Sequence, residues 1–438
     1  GHPMTGKVAY INARVIDPAS GLDAPATAKG GVLTDGTRIM AIGPDIFSTG
    51  SPAGAEIVDC EGAVLTPGLV DMRVDFCEPG NEHKEDIESG SRAAAAGGVT
   101  AVVTLPDTDP AIDDASVLEF VARRARDVKL VKVFAYGTIT RKADSDEIVE
   151  MGLMKQAGAV AFTNGRSAVA NAKTLSRALK YAQAFDALIV QHPEESSLSN
   201  GGVMQSGELA TRLGLPGIPR EAETIMIDRD LALVKMTGGR YHAAHISTAE
   251  SVAKIRVAKA AGLRVTCDTA PPYFALNELA VGEYRTFAKL SPPLRTEEDR
   301  QAIVAGLADG TIDCIASDHL PQDQESKRLP FEQAEFGAAG LESLLPLTLE
   351  LVHNEHLGLS DALAKVTNHP AELLKLPVGR LHVGGAADIV IFDPERPGRI
   401  EPDNFTSKSK NSPFDGRLVQ GRVIRTIVDG RTIYTAAS

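Results

Sequence analysis

Short apolar runs rich in β-branched residues alternate with amphipathic helical patterns through the middle of the chain. This alternation is typical of repeated strand–helix units that build a parallel sheet. The pattern predicts eight strands, near residues 64–75, 99–105, 131–137, 158–163, 187–192, 239–245, 263–268 and 312–318. Apolar residues at three- and four-residue spacing predict helices between them, including 84–97, 173–184, 249–261 and 297–308. Eight such units predict an α/β fold whose strands close into a (β/α)8 barrel.

The two ends of the chain show a different pattern, with short apolar segments separated by turn signals such as Asp35-Gly36 and Asp429-Gly430. Residues 7–60 and 378–436 are both rich in Val, Ile, Thr and Gly, which predicts short strands. We expect the strands of the two ends to pair in one small β domain beside the barrel. The predicted division assigns 4–60 and 378–438 to this composite domain, and 61–377 to the barrel.

The net charge limits the possible binding partners, and the cysteine spacing indicates the cellular compartment. The 438 residues include 45 basic and 58 acidic side chains, and the net charge of −13 argues against a nucleic acid or an anionic membrane as partner. No run of residues approaches the roughly 20 apolar positions of a membrane span. The cysteines lack CxxC spacing and fit reduced thiols, so we expect a cytoplasmic protein. They are Cys60, Cys77, Cys267 and Cys314.

The end of the first predicted barrel strand is where the candidate chemistry begins. Two side chains two residues apart on a strand point to the same side, so a histidine pair at this spacing could hold a divalent cation in a barrel mouth. Here the two positions carry Arg73 and Asp75. An arginine guanidinium has no lone pair to give and repels a metal ion. The end of this strand therefore lacks the pair of imidazole lone pairs that a metal site of this kind needs.

A series of motifs, specific in order and spacing, supports a comparison with a known family. They are residues 67–80 (PGLVDMRVDFCEPG), 105–110 (LPDTDP), 162–165 (FTNG), 241–248 (YHAAHIST), 291–295 (SPPLR), 316–319 (ASDH) and 407–414 (SKSKNSPF). Together they resemble class I dihydroorotases, members of the amidohydrolase superfamily, over nearly the whole chain. The resemblance implies the amidohydrolase type of TIM barrel with a composite β domain. Its active site would lie at the C-terminal ends of the strands.

The resemblance also implies which residues would bind metal. His192 and His245 match the family's two later metal-binding histidines. Asp318 matches the catalytic carboxylate, which binds metal and accepts the proton of the attacking water. Asn164 stands where the family has an aspartate that can bridge two metals, and a neutral amide is a weaker ligand. This ligand position is therefore substituted, like the histidine pair of the first strand.

The positions that the family uses for substrate are substituted as well. In the family an arginine and an asparagine hold the dihydroorotate carboxylate, since a planar guanidinium binds a carboxylate through two hydrogen bonds. Those positions here are Cys77 and Asp107, and the Asp107 carboxylate would repel an anionic substrate. Ser291 replaces a substrate-binding asparagine, and Gln322 replaces a histidine after the eighth strand.

Joint loss of metal-binding and substrate-binding groups favours a catalytically inactive dihydroorotase-like protein of pyrimidine biosynthesis. Inactive members of this family are known as non-catalytic subunits, so the resemblance implies aspartate transcarbamoylase as the partner. We expect a homo-oligomer without a metal cofactor. Asp318 would then be a vestigial catalytic residue, and the Arg73 guanidinium is expected to face Asp318 or Asp75 in place of the missing cation.

A second hypothesis stays open. An active hydrolase could hold a single zinc ion on His192, His245 and Asp318, with Asp75 as a further candidate ligand. It would act on dihydroorotate or on a different cyclic amide or ureide. A stoichiometric metal assay separates the two hypotheses.

Overall fold

The computed structural model describes residues 6–437. Within this range the chain forms twenty strands, most of them short. The strands are β1 (Lys7–Ile11), β2 (Arg14–Asp17), β3 (Leu22–Ala24), β4 (Gly31–Asp35), β5 (Arg38–Gly43), β6 (Glu56–Asp59), β7 (Val64–Pro67), β8 (Leu69–Val74), β9 (Val99–Thr104), β10 (Lys132–Gly137), β11 (Ala159–Thr163), β12 (Leu188–Gln191), β13 (Met204–Gln205), β14 (Gly217–Ile218), β15 (Arg240–Ala243), β16 (Val265–Thr269), β17 (Cys314–Ile315), β18 (Ile389–Arg399), β19 (Leu418–Val428) and β20 (Arg431–Thr435).

The same residues form fourteen α-helices. They are α1 (Ile87–Ala96), α2 (Ala115–Val128), α3 (Met151–Gln156), α4 (Ala172–Gln183), α5 (Ser196–Ser199), α6 (Glu208–Leu213), α7 (Glu221–Thr237), α8 (Ala249–Ala260), α9 (Pro271–Ala275), α10 (Glu297–Ala308), α11 (Gln324–Lys327), α12 (Leu344–His353), α13 (Leu359–Ala364) and α14 (Asn368–Leu373). Short 3₁₀ helices span Arg141–Ala143, Glu278–Val281, Thr286–Ala288, Leu341–Ser343 and Pro402–Asn404.

Eight strands form a central sheet whose spatial order follows the chain, β8, β9, β10, β11, β12, β15, β16 and β17. Neighbouring strands pair in parallel throughout. A bridge between Val74 and His319 joins the first strand to the segment after the last, and the Asp75 N–H donates to the His319 carbonyl at 2.8 Å. The sheet is thus closed, and the predicted (β/α)8 fold is confirmed.

The barrel strands are buried on both faces, as expected of a parallel sheet covered by helices. Every residue of β8 and β9 is buried. Inside the barrel, Met72, Val103 and Tyr136 belong to one apolar cluster. The helices outside begin at polar caps, since Asp86 and Thr296 accept hydrogen bonds from first-turn amides of α1 and α10. Strand burial and helix capping together fix the strand ends that carry the candidate site.

The two ends of the chain meet in a six-stranded sheet, in the order β20, β19, β18, β7, β2, β3. β7 lies at the junction, because it pairs in parallel with β2 and antiparallel with β18. A second sheet, in the order β5, β4, β1, β6, contains strands of the N-terminal end alone. The predicted domain limits stay a prediction, and their outer bounds, residues 4 and 438, lie outside the described residues.

The first predicted barrel strand, residues 64–75, is corrected into two strands. β7 belongs to the sheet of the two termini, and only β8 enters the barrel. The break lies at Gly68, where an added Cβ atom would lie 2.1 Å from the Thr100 side chain. Glycine permits this close approach, and the Pro67-Gly68 turn signal marks a break that the prediction passed over.

The described residues also bear on membrane insertion and on cysteine pairing. None of the helices within residues 6–437 is both long and apolar enough to cross a membrane. Each of the four cysteines is buried and carries a free thiol. Cysteine pairing therefore plays no part in holding this fold.

The C-terminal segment 405–414 returns to the barrel and lies against the ends of its strands. The Ser407 hydroxyl donates to the Glu85 carboxylate in the loop after β8. The Asn411 side-chain amide donates to the Gly337 carbonyl at 2.9 Å. This tail therefore helps to cover the mouth of the barrel.

Candidate active site in the barrel mouth

The strand ends bring four of the predicted site residues into direct contact. They are Arg73 near the end of β8, His192 after β12, His245 after β15 and Asp318 after β17. All four lie at the C-terminal ends of the strands, where barrels of this type carry their active sites. Their side chains form a continuous chain of polar contacts across the mouth.

The Arg73 guanidinium is bound to the Asp318 carboxylate. Arg73 Nε lies 3.0 Å from Asp318 Oδ1, and Nη2 donates to the Gly165 carbonyl at 2.9 Å. The two side chains are 2% and 9% exposed, so water hardly reaches the ion pair. Burial alone would raise the pKa of Asp318, but His245 and Arg73 lower it to about 2. The expected contact between Arg73 and Asp318 is confirmed.

Two histidine rings continue the chain of contacts. His245 Nδ1 lies 3.1 Å from Asp318 Oδ2, and its Nε2 lies 2.6 Å from His192 Nδ1. The other nitrogen of His192 lies 2.7 Å from Glu194 Oε2. In such contacts each ring nitrogen uses either its proton or its lone pair. Both imidazoles therefore have both nitrogens engaged, and Glu194 is a participant that the sequence analysis missed.

The arrangement does not fit the metal ion that these ligand positions imply. A metal site needs imidazole lone pairs and carboxylate oxygens directed at one point. Here the imidazoles contact each other, and the permanent cation of Arg73 holds the Asp318 carboxylate. Across residues 6–437, no three His, Cys, Asp or Glu side chains are grouped so that they could hold a metal ion. The metal-binding role of His192, His245 and Asp318 stays a prediction.

The backbone at the mouth adopts conformations that non-glycine residues usually avoid. His245, Asp318 and Cys77 have φ values of 33°, 53° and 61°, in the left-handed region. Each such residue costs about 1–3 kcal/mol unless its surroundings hold it in place. Asp268 does so for His245, because its carboxylate accepts the His245 N–H at 2.9 Å and is fixed by buried His242 at 2.6 Å. Buried hydrogen bonds therefore hold this strand end in a strained backbone conformation.

A second ion-paired cluster occupies the other side of the mouth. Arg166, which follows β11, places Nη1 3.0 Å from Asp75 Oδ2 and Nε 2.9 Å from Asp107 Oδ2. Burial raises the pKa of Asp75, and the charge of Arg166 opposes this. Two of the substituted positions thus share one guanidinium. The sequence analysis missed Arg166, although it directly follows the motif at 162–165.

Asn164 and Cys77 form their hydrogen bonds on this same side of the mouth. Asn164 Oδ1 accepts the N–H groups of Ile139 and Thr140 at 2.9 and 3.2 Å, and Nδ2 donates to Thr140 Oγ1 at 2.9 Å. The Cys77 N–H donates to Asp75 Oδ1 at 2.8 Å. Burial raises the pKa of the Cys77 thiol far above its usual range, so the thiol stays protonated. Neither side chain offers a charge to a ligand.

The last two substituted positions lie at the edge of the mouth. Ser291 lines a small, mostly apolar cavity beside Asp318, with Phe414 of the tail in its wall. Gln322 directs its side-chain amide to the Phe336 carbonyl at 2.7 Å, within the loop that follows β17. Ser291 and Asp318 therefore line the same cavity, whereas the Gln322 side chain forms a hydrogen bond within the loop.

A buried acid behind the mouth joins its first and last strands. Glu85 Oε2 lies 3.0 Å from His319 Nε2, and Oε1 accepts from the Ser89 hydroxyl at 2.5 Å. His319 Nδ1 accepts the Gly340 N–H at 2.9 Å. The sequence analysis missed the role of Glu85, because a single glutamate before a helix carries no distinctive spacing.

The candidate general base of the mouth is already hydrogen-bonded through both of its oxygens. A general base needs a lone pair within reach of the proton that it removes. Asp318, the candidate base, has Oδ1 bound by Arg73 and Oδ2 bound by His245. The mouth is therefore a closed network of charge pairs around strand ends of active-site type.

Comparisons with known proteins give the chain a family context. Residues 62–251 match a family model described as dihydro-orotase-like, and residues 237–434 match the model of an amidohydrolase family. A dihydroorotase of Anaplasma phagocytophilum (strain HZ) is 49% identical over 98% of this chain and 95% of its own length. A dihydroorotase of Wolbachia sp. subsp. Drosophila simulans (strain wRi) is 47% identical over 99% of this chain and 96% of its own.

Solved structures agree on the fold. L-hydantoinase (dihydropyrimidinase) from Arthrobacter aurescens superposes with a TM-score of 0.84 at 25% identity, covering 99% of this chain and 97% of that one. Dihydropyrimidinase from Brevibacillus agri NCHU1002 superposes with a TM-score of 0.82 at 23% identity, covering 98% and 95%. The barrel and the terminal sheets together therefore follow a known architecture.

Proposed function

This chain belongs to the dihydroorotase family, and we propose that it lacks dihydroorotase activity and serves as a structural subunit. The observation that carries the proposal is the buried ion pair between Arg73 Nε and Asp318 Oδ1, at 3.0 Å. A metal-dependent hydrolase uses its metal ion to make water a nucleophile at neutral pH. Here a guanidinium holds the carboxylate that would have to bind the metal and accept the proton.

The substrate side supports the same proposal. Arg166 is shared by Asp75 and Asp107, so this cluster carries one positive and two negative charges. Such a cluster repels an anionic substrate such as dihydroorotate, and its guanidinium is already engaged. The substrate carboxylate would meet neither a free arginine nor a neutral amide at these positions.

Dihydroorotate turnover by the purified protein, with and without added zinc, tests the lack of activity. We expect turnover at the background rate in both conditions. Arg73→His should stay inactive too, because Asp75, Cys77, Asp107 and Asn164 remain in place. Zinc-dependent turnover that is lost in Asp318→Ala would refute this part of the proposal.

Aspartate transcarbamoylase is the partner that we propose, by analogy with non-catalytic members of the family. The intact barrel around a mouth filled by ion pairs supports a structural role. A stable assembly should bury more than about 1,000 Å² and persist through gel filtration. Co-expression with the transcarbamoylase of the same organism allows complex mass and carbamoyl transfer to be measured. The chain alone is the reference, and we propose that it runs as a homo-oligomer. Two separate peaks at micromolar concentration, with unchanged carbamoyl transfer, would exclude this partner.

A zinc-dependent cyclic amidohydrolase is the second candidate. The left-handed backbone kept at His245 and Asp318 favours it, because such strain persists mainly where a site uses it. The relatives that are called dihydroorotases support it as well. Zinc in a one-to-one ratio that is lost in His192→Ala would favour this candidate. Zinc far below that ratio would favour the inactive subunit.

A further inference from the structure

Behind the barrel mouth, a cleft of about 560 Å³ opens between the β18–β19 ribbon, the start of α12 and residues 400–405. Ser343 lines both this cleft and the small cavity beside Asp318. Sites for small molecules usually measure about 300–1,000 Å³. The cleft is therefore of the size that a metabolite requires.

Three arginines line the cleft, and none forms an ion pair with a carboxylate of residues 6–437. Arg399 Nη1 donates to the Gly416 carbonyl at 3.2 Å, and Arg422 donates to the Ala437 carbonyl. Arg396 is exposed and has no hydrogen bond or ion pair within the same part of the chain. Most of the donors of these guanidiniums thus remain available to a ligand.

A neighbouring arginine, in contrast, forms an ion pair with a carboxylate. Arg417, directly before β19, forms an ion pair with Glu350 at 2.8 Å. Two carboxylates line the cleft itself, but both are engaged. Glu342 accepts backbone N–H groups of residues 406 and 407 at 3.0 and 3.2 Å, and Glu401 accepts the Asn404 side-chain amide at 2.9 Å. The cleft lining has three guanidiniums and two carboxylates, which leaves one excess positive charge.

The wall of the cleft adds a hydroxyl donor and apolar surface. Burial raises the pKa of half-buried Tyr434, so its phenol stays protonated and can donate a hydrogen bond. Phe405 is also half-buried in this wall. A rim of donors above partly apolar walls suits a molecule with an oxyanion at one end and a less polar body at the other.

We propose that this cleft binds a small phosphate ester, with the phosphate held by Arg396, Arg399 and Arg422. A guanidinium fork matches phosphate oxygens through paired hydrogen bonds, and arginines without carboxylate partners keep those donors for the ligand. The whole chain carries a net charge of −13, so a generally basic surface does not account for the cluster. The site is separate from the barrel mouth and does not depend on whether the barrel is catalytic.

Pyrophosphate is the probe, titrated by calorimetry into the full chain at fixed ionic strength, with sulfate as the comparison anion. We expect saturable binding of pyrophosphate. The double variant Arg396→Gln/Arg399→Gln should weaken it by about tenfold or more, since charge-assisted hydrogen bonds are lost. The matched control Arg177→Gln/Arg212→Gln removes two exposed arginines outside the cleft and should change the affinity by less than about twofold.

Amide hydrogen exchange gives a second readout. Pyrophosphate should slow exchange at residues 405–409, because Glu342 binds two backbone N–H groups of this segment at the cleft wall. Equal affinity in the cleft variant and in the control would overturn the proposal, as would equal binding of sulfate and pyrophosphate. Saturable binding of an acidic peptide without binding of pyrophosphate would also overturn it, and would assign the cleft to a protein partner.

Discussion

The two halves of the barrel mouth differ in the residues that they present at the strand ends. The half formed by β12, β15 and β17 carries the three residues that the sequence resemblance predicts as metal ligands, His192, His245 and Asp318. The half formed by β8, β9 and β11 carries the positions that the same resemblance predicts to be substituted. These are Arg73, Asp75, Cys77, Asp107 and Asn164. Both halves are nevertheless buried at the same strand ends, so the difference lies in chemistry and not in folding.

In both halves the buried carboxylates are paired with an arginine, whether or not the predicted metal ligands are present. The first half leaves the Asp318 carboxylate inside the mouth, and Arg73 is its positive partner. The second half adds the carboxylates of Asp75 and Asp107, and Arg166 pairs with both. A buried carboxylate without such a partner is destabilising, so these pairings serve stability whether or not the site is catalytic. Removing the partners one at a time tests this view.

Loss of the Arg73 guanidinium should have the largest effect. Arg73→Met keeps much of the side-chain volume but leaves Asp318 buried without a cation, and breaking a buried pair in this way costs about 3–5 kcal/mol. Asp318→Asn in the same chain should recover most of that loss. Equilibrium unfolding in urea measures both effects.

A surface pair provides the matched control. Arg92 and Glu88 form an ion pair at 2.6 Å, but their side chains are 60% and 45% exposed. Arg92→Met should therefore cost only about 0–1 kcal/mol. If Arg73→Met costs no more than this control, Asp318 does not depend on the guanidinium, and the proposed charge balance is wrong.

Glu85 connects the two halves from behind, and its loss should have the second largest effect. The buried carboxylate accepts hydrogen bonds from His319 on one side and from Ser89 and Ser407 on the other. Glu85→Gln keeps the shape of the side chain but replaces one acceptor oxygen by a donor. We expect a loss of about 2–3 kcal/mol at neutral pH, measured by urea unfolding.

The pH dependence of stability gives this prediction a sign. Burial would raise the pKa of Glu85, but His319, with Ser407 and Ser89, outweighs it and holds the folded pKa below its usual value. The unfolded chain therefore takes up the proton first, near pH ~4.3. The stabilisation is complete above that pH and is lost as the pH falls through the folded pKa. Stability should fall less steeply with acid in Glu85→Gln than in the wild type, and parallel curves would contradict the assignment.

The barrel is predictable from sequence because its signal is local and repeated. Most strand residues are buried and the strands alternate with helical patterns, so the apolar pattern predicts all eight strands. The limit of the first strand is not predictable in this way. An apolar run passes through Gly68, and the break depends on close packing against Thr100, which lies 32 residues further along the chain.

The candidate site is predictable only in part, for a similar reason. Once a barrel is assumed, strand ends meet, so a contact between Arg73 and Asp318 follows although they lie 245 residues apart. The roles of Arg166 and Glu194 depend on side-chain directions in loops, which no spacing rule fixes. Glu85 is hidden for the same reason, because most of its partners come from distant parts of the chain.

Asn164→Asp should have the smallest effect, and it tests whether the replaced half is held in place by its own bonding. Asn164 Oδ1 accepts two backbone N–H groups, from Ile139 and Thr140, and a carboxylate oxygen can do the same. The bond from Nδ2 to Thr140 Oγ1 is lost, but that hydroxyl can turn and donate to the carboxylate. We expect a loss of about 1–2 kcal/mol in urea unfolding, because the new carboxylate is buried and the two N–H donors offset only part of its desolvation.

The same variant should also gain no zinc, because Arg73 still holds Asp318 and the other replaced positions are unchanged. Native mass spectrometry after incubation with zinc sulfate measures this, with the wild type as the control. Zinc in a one-to-one ratio in Asn164→Asp would mean that a single carboxylate restores the ligand set. The pairing of Arg73 with Asp318 would then be a resting arrangement that a metal ion displaces, and the two halves of the mouth would differ by one residue rather than by a whole set.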